Sequence, residues 1–134
     1  MYWAHVDLGS YVDDRPTRSL DPNLRLERAL LTGDVYRPGL FKLSPEALKP
    51  KFITHRFLGS GALETAHVAD GKFQAYVFPK ITIWDVAAAM IILKCAGGTW
   101  IFGEAHDEFV FDDQPRLFIG ASNRIIKNEL IEYL

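Results

Sequence analysis

The sequence predicts an α/β layered sandwich built on a mixed, partly parallel sheet, and three observations lead there. From Lys51 onward, strand-like and helix-like segments alternate: KFITHRF, GSGALETAHVADG, KFQAYVF, WDVAAAMIILKCAGG. Strands joined through helices pair in parallel by right-handed crossovers. Glycines punctuate the boundaries at Gly33, Gly71 and Gly97–Gly98, where a helix or strand must stop. Finally, 134 residues that are 49% hydrophobic and 24% charged suit one globular unit. A chain of this size buries about two thirds of its unfolded surface without disulfide or metal staples.

MYWA reads as a short strand and DLGSYVDDRP as the turn-rich element after it, so the chain is expected to begin in mid-structure. RALLT, at 28–32, is a buried strand halted by Gly33, and LSPEALKP is a short helix opening at Ser44 with Pro45 in its first turn. KFITHRF follows as a strand. The next helix starts at Ser60 and stops at Gly71, and KFQAYVF alternates as a strand. The strands near 51–56 and 73–77 are expected to lie parallel in one sheet. Residues 86–93 show no alternation and carry a run of three alanines, which favours helix. A helix apolar on every face is expected to be buried. GTWIFG and RLFIGAS add strands, and NRIIKNELIEYL a final helix. The acidic stretch around GEAHDEFVFDDQP reads as a solvated loop in which Phe109 and Phe111 alternate as a short edge strand.

A net charge of −2 argues against a nucleic-acid partner. The single cysteine, Cys95, allows no intrachain disulfide and reads as a small buried thiol, fitting a reducing cytoplasm. His5, His55, His67 and His106 have no paired ligand spacing, which argues against zinc. No apolar run reaches signal or membrane-spanning length.

The stretch that carries chemistry is WDVAAAMIILKCAGG, where the carboxylate of Asp85 precedes an apolar run. Asp85 suits a helix cap, since an anion there meets unpaired N–H groups and the positive end of the dipole. Asparagine or serine would cap equally well, so spacing alone does not separate capping from ligation.

Taken together, RFLGSGALETAHVADGKFQAY and WDVAAAMIILKCAGG resemble the C-terminal half of the inositol monophosphatase family, magnesium-dependent phosphatases sharing a fold with fructose-1,6-bisphosphatase. The first resemblance rests on Arg56, Gly59 and Ser60, with Gly61 in place of the usual alanine, then Val68, Ala69, Gly71, Ala75 and Tyr76. The second rests on residues 84–98, a Trp-Asp-x-Ala-Ala helix ending in Ala-Gly-Gly. MYWAHVDLGSYVDDRP and LFIGASNRII resemble further family segments. The resemblance implies that residues 1–24 are the remnant of a preceding metal-binding half and residues 25–134 a C-terminal α/β domain. It implies that Asp85 is a magnesium ligand, a role that hard-cation chemistry favours for a carboxylate. It also implies that Gly59, Ser60 and Gly61 meet substrate hydroxyls, with Gly61 keeping space open. Phe78 stands where inositol-specific members place a glutamate, and a phenyl ring cannot accept hydrogen bonds from ring hydroxyls. Lys80, in the loop before Asp85, could meet a phosphate, with a solvated loop lysine as the other and favoured reading.

The family's other metal ligands, an upstream glutamate and an Asp-Pro-x-Asp-Gly-Thr motif, do not occur in these 134 residues. The expectation is therefore half of an enzyme that is a homodimer when complete. It would lack catalytic residues of its own, need a missing N-terminal half or second chain, and act on a small phosphorylated metabolite. The competing expectation is a non-catalytic α/β binding or assembly module.

Overall fold

The computed structural model describes all 134 residues. Three short strands, β1 (Tyr2–His5), β2 (Gly9–Val12) and β3 (Arg15–Pro16), form an antiparallel sheet of their own in the order β1-β2-β3. The main sheet has six strands: β4 (Leu30–Gly33), β5 (Thr54–Arg56), β6 (Ala75–Ile81), β7 (Thr99–Phe102), β8 (Ala105–His106) and β9 (Arg116–Ala121). Their order is β5-β4-β6-β9-β7-β8. The first three run parallel and β9 pairs antiparallel with both β6 and β7, so the sheet is mixed and partly parallel as predicted. β5 and β6 do share one direction in one sheet, but β4 lies between them.

Period-2 alternation sorts the sheet's side chains to two faces. Ala75, Val77, Ile101, Ile119 and Ala121 join Ile126 and Leu130 of α4 (Arg124–Glu132) on one face. The segment around α1 (Pro45–Leu48) closes that same cluster. Tyr76, Trp100, Phe102 and Phe118 face the other way, onto α2 (Gly61–Ala69) and α3 (Ala87–Cys95). The small sheet packs against α3, and the Tyr2 ring meets His67 of α2 edge-on. The layers thus run α4, six-stranded sheet, helix pair, small sheet.

Several boundaries follow the sequence. Ser44 and Ser60 each accept a backbone N–H at the start of their helix, from Ala47 and Leu63. Asn123 does the same for Ile126. Gly71 and Gly97, just past the helix ends, have φ of +69° and +90°, the left-handed region that glycine enters without Cβ cost.

Five expectations need correction. The helix at the Trp-Asp motif begins at Ala87, not Asp85, because residues 83–85 form a 3-10 turn and Val86 occupies the N-cap with no side-chain bond. Asp85 therefore does not cap it. Nor is that helix buried all round: Met90 and Leu93 face the sheet, while Ala88 and Lys94 are exposed and Ile91 is 43% exposed. Cys95 is only half-buried. Phe109 and Phe111 form no strand; their rings stack 5.9 Å apart, nearly parallel. In the same acidic stretch, Asp107 is structural rather than merely solvated, accepting bonds from Thr99 Oγ1 at 2.5 Å and the Trp100 N–H at 2.9 Å.

The small sheet is fastened by one ion pair that the sequence reading does not contain. Asp70, at 0% exposure, accepts a bidentate bond from Arg15 of β3 (3.0 and 2.8 Å) and the Arg18 N–H at 3.0 Å. Hydrogen bonding from Arg15 holds the Asp70 pKa below the ordinary carboxylate value. A depressed folded-state pKa contributes stability above the ordinary carboxylate range, about pH 4, and loses it as pH falls toward the folded value. Arg15→Met leaves the buried carboxylate with the Arg18 N–H and the Lys72 ammonium 3.9 Å away. We expect a loss on the order of 2 kcal/mol in urea unfolding at neutral pH. The difference between variant and wild type should shrink as the titration is carried into acid.

Candidate functional site

The site is built where β6 meets the start of α2. Tyr76, Phe78 and Lys80 alternate along one face of β6 and all line a single open cleft of ≈540 Å³. A register irregularity between Phe78 and Ile81 brings Ile81 to the same cleft. The turn before α2 contributes Gly59, Ser60 and Gly61, and the 3-10 turn after β6 contributes Asp85. All six positions singled out in the sequence, Gly59, Ser60, Gly61, Phe78, Lys80 and Asp85, therefore share one cavity. So do Phe57, Tyr76 and Trp84, which were not singled out.

The turn is held from behind by Glu64. Its carboxylate, 0% exposed, accepts the N–H groups of Gly59 (2.9 Å) and Ser60 (3.1 Å) and the hydroxyl of Thr32 at the end of β4. This corrects the expectation for the turn, because the N–H groups of Gly59 and Ser60 are engaged inside the protein. The Ser60 hydroxyl caps Leu63 at 3.3 Å. The N–H groups of Gly61 and Ala62, first in the helix, have no protein acceptor. They are two of the orphan donors that every helix start presents. Glu64 carried one readable signal, an acid in the first turn of a helix next to a Gly-Ser start.

Gly61 sits close against the wall of the cleft rather than holding open space. A Cβ there would fall 2.7 Å from Ile81 Cδ1 and 3.2 Å from the Tyr76 hydroxyl, against the wall of the cleft. An alanine there would be accommodated by a small shift of the Ile81 side chain. Tyr76 lies under the turn, and burial, reinforced by the charges of Glu64, Asp85 and Asp34, raises its phenol well above the ordinary range. It stays a neutral hydroxyl.

Asp85 is exposed, and the Thr82 hydroxyl donates to its Oδ2 at 2.8 Å, fixing one oxygen and leaving the other free. No group of three acidic, histidine or cysteine side chains is gathered anywhere in the chain. Magnesium requires about six oxygen ligands. A single carboxylate beside a hydroxyl fits one ligand of such a site and does not make the site.

This geometry can orient an anionic ligand by two backbone donors and a lysine over an aromatic floor, with the Asp85 carboxylate beside them able to meet a cation. The chain belongs to the inositol monophosphatase family, whose model matches residues 1–134. It is 28% identical over 137 residues to an inositol-1-monophosphatase of Bacillus subtilis, a match covering 100% of this chain and 51% of that protein. The staphylococcal SaIMPase-II bound to inositol monophosphate superposes with a TM-score of 0.79 at 26% identity, covering 99% of this chain and 51% of the other. The same enzyme bound to 2'AMP gives 0.78 at 25% identity. The chain spans about half the length of the relatives it matches.

If Glu64 holds the turn, Glu64→Ala should cost on the order of 3 kcal/mol, since two N–H groups and a hydroxyl lose their buried acceptor. Thr32→Val, which removes one donor, should cost about 1 kcal/mol. Thermal melts followed by circular dichroism test the ranking; equal losses would show that the carboxylate does not gather these groups.

Proposed function

We propose that this chain is the C-terminal part of a magnesium-dependent phosphatase hydrolysing small sugar, inositol or nucleotide phosphate monoesters. The observation that carries the reading is the meeting of Asp85, Lys80 and the free N–H groups of Gly61 and Ala62 in one cleft. Asp85 supplies one carboxylate to a magnesium ion whose other ligands come from outside these 134 residues. When bound, such an ion acidifies a water and offsets charge on the phosphoryl group. The chain's own residues bind and orient: Lys80 attracts the phosphate, the α2 N-terminus donates to ligand oxygens, and Phe78 with Tyr76 forms the floor. Residues 1–24 belong with the metal-binding half, and residues 25–134 form the substrate-holding domain. The assembled enzyme is a homodimer in the cytoplasm.

Membership of the family supports phosphatase chemistry, and a relative of similar fold bound to both inositol monophosphate and 2'AMP supports a broad substrate range. One observation favours a second reading, a non-catalytic binding or assembly module: no three-ligand cluster exists in the chain.

Two measurements separate these readings. The purified chain with magnesium should hydrolyse no phosphate monoester, because one carboxylate cannot hold a two-metal clamp. Activity should appear on adding a separately produced N-terminal half, and silence of that mixture would favour the module. Asp85→Asn should leave the melting of the chain within about 0.5 kcal/mol of wild type, since Asp85 is an exposed residue that caps no helix. In the mixture it should weaken magnesium binding, and unchanged affinity would remove Asp85 from the metal site.

A further inference from the structure

The hydroxyl of Thr82 is turned to a task that its position does not ordinarily carry. Thr82 occupies the N-cap of the 3-10 turn at 83–85, yet its side chain caps no backbone N–H. A threonine at such a place ordinarily accepts from an amide of the turn. Here its Oγ1 donates to Asp85 Oδ2 at 2.8 Å, while the Asp85 N–H donates to the Thr82 carbonyl at 3.1 Å. Two bonds therefore join the same two residues, one through side chains and one through the backbone. Ile81 and Ile83, the neighbours of Thr82, are 6% and 5% exposed, so core residues anchor it on both sides. Asp85 forms no ion pair in the chain, even with Lys80 of the same cleft. Its charge is uncompensated, with Oδ2 occupied and Oδ1 free.

We propose that Thr82 is a positioning residue that sets metal selectivity: by holding Oδ2 it restricts Asp85 to ligation through one oxygen, and so favours magnesium over calcium. The proposal rests on the phosphatase reading above, in which Asp85 contributes one carboxylate to a divalent-cation site. Magnesium is small and demands nearly ideal octahedral geometry at short ligand distances. The two oxygens of one carboxylate lie too close together to fill adjacent octahedral positions, so a single oxygen suits it. Calcium is larger, tolerates irregular geometry and accepts both oxygens of a carboxylate. To chelate calcium, Asp85 would have to release the Thr82 hydroxyl and lose a hydrogen bond to a charged group. Ligation through Oδ1 alone leaves that bond intact. The hydroxyl thus discriminates between ions that it does not itself touch.

The test titrates the 134-residue chain separately with magnesium chloride and calcium chloride and reads each affinity from the amide shifts of Thr82 and Asp85. Thr82→Val keeps the branched side chain and removes the hydroxyl. It should move the ratio of magnesium to calcium affinity about tenfold toward calcium, the worth of an exposed hydrogen bond to a charged group. Thr82→Ser restores the donor and should stay within about twofold of the wild-type ratio. Thr82→Ala repeats the comparison should the valine variant fail to fold. A merely structural role for Thr82 would weaken both ions alike and leave the ratio unmoved. An unchanged ratio in the valine and alanine variants would therefore overturn the selectivity proposal and leave Asp85 standing as a ligand. Asp85→Asn separates that failure from failure of the phosphatase reading. If it leaves the shifts caused by both ions as in wild type, Asp85 meets no cation and the proposal and that reading of Asp85 fall together. They also fall together if neither ion shifts either amide.

Discussion

The buried carboxylate of Glu64 is the constraint on which the site depends. An ionised group taken out of water is costly unless its lone pairs are filled. Here three donors fill them, from two parts of the site's frame: the Thr32 hydroxyl at the end of β4, and two successive amides of the turn before α2. Because β4 lies between the two other parallel strands, tying the turn to Thr32 ties it to the middle of the parallel part of the sheet. The first free amides of α2 are then fixed relative to Phe78 and Lys80, which stand on the neighbouring strand. The rigidity of the cleft on this side follows from one acid that itself faces no ligand.

Glycine works in the opposite sense, by absence. At Gly33, φ is +96° and an added Cβ would fall 2.2 Å from the Val77 carbonyl, so β4 and β6 approach as closely as they do only without a side chain there. Gly98 plays the same part between α3 and the sheet, where a Cβ would fall 2.2 Å from Leu93 and 2.9 Å from the Ala121 carbonyl. Neither contact can relax cheaply where the obstruction is backbone.

Much of this was legible in the sequence, for physical reasons that differ by element. Strand and helix periodicity reported the two faces of β6 and the order of the main elements, because burial imposes the alternation directly. The cleft residues were legible through short motifs, since a Gly-Ser helix start and a Trp-Asp pair are local features. What stayed hidden was set by distance or by register. Arg15 and Asp70 are separated by 55 positions, and nothing local in DDRP signals a buried partner. The helix after Asp85 starts two residues late because Ile83 is buried in the core and a 3-10 turn places it there. The exposed side of α3 was unreadable because alanine and isoleucine look the same in a sequence whether solvent or protein covers them.

The strand order has a consequence for how the chain comes into being. β9, at 116–121, is inserted between β6 and β7, and it is the only link that joins the parallel strands to the β7–β8 hairpin. A ribosome releases the parallel strands and the hairpin first, and neither is joined to the other until almost the whole chain has emerged. The ring of Phe102 meets that of Phe118 only once β9 has joined. Vectorial synthesis thus leaves this fold open at its centre until last, so loss of even a few residues around β9 would split the sheet rather than shorten it.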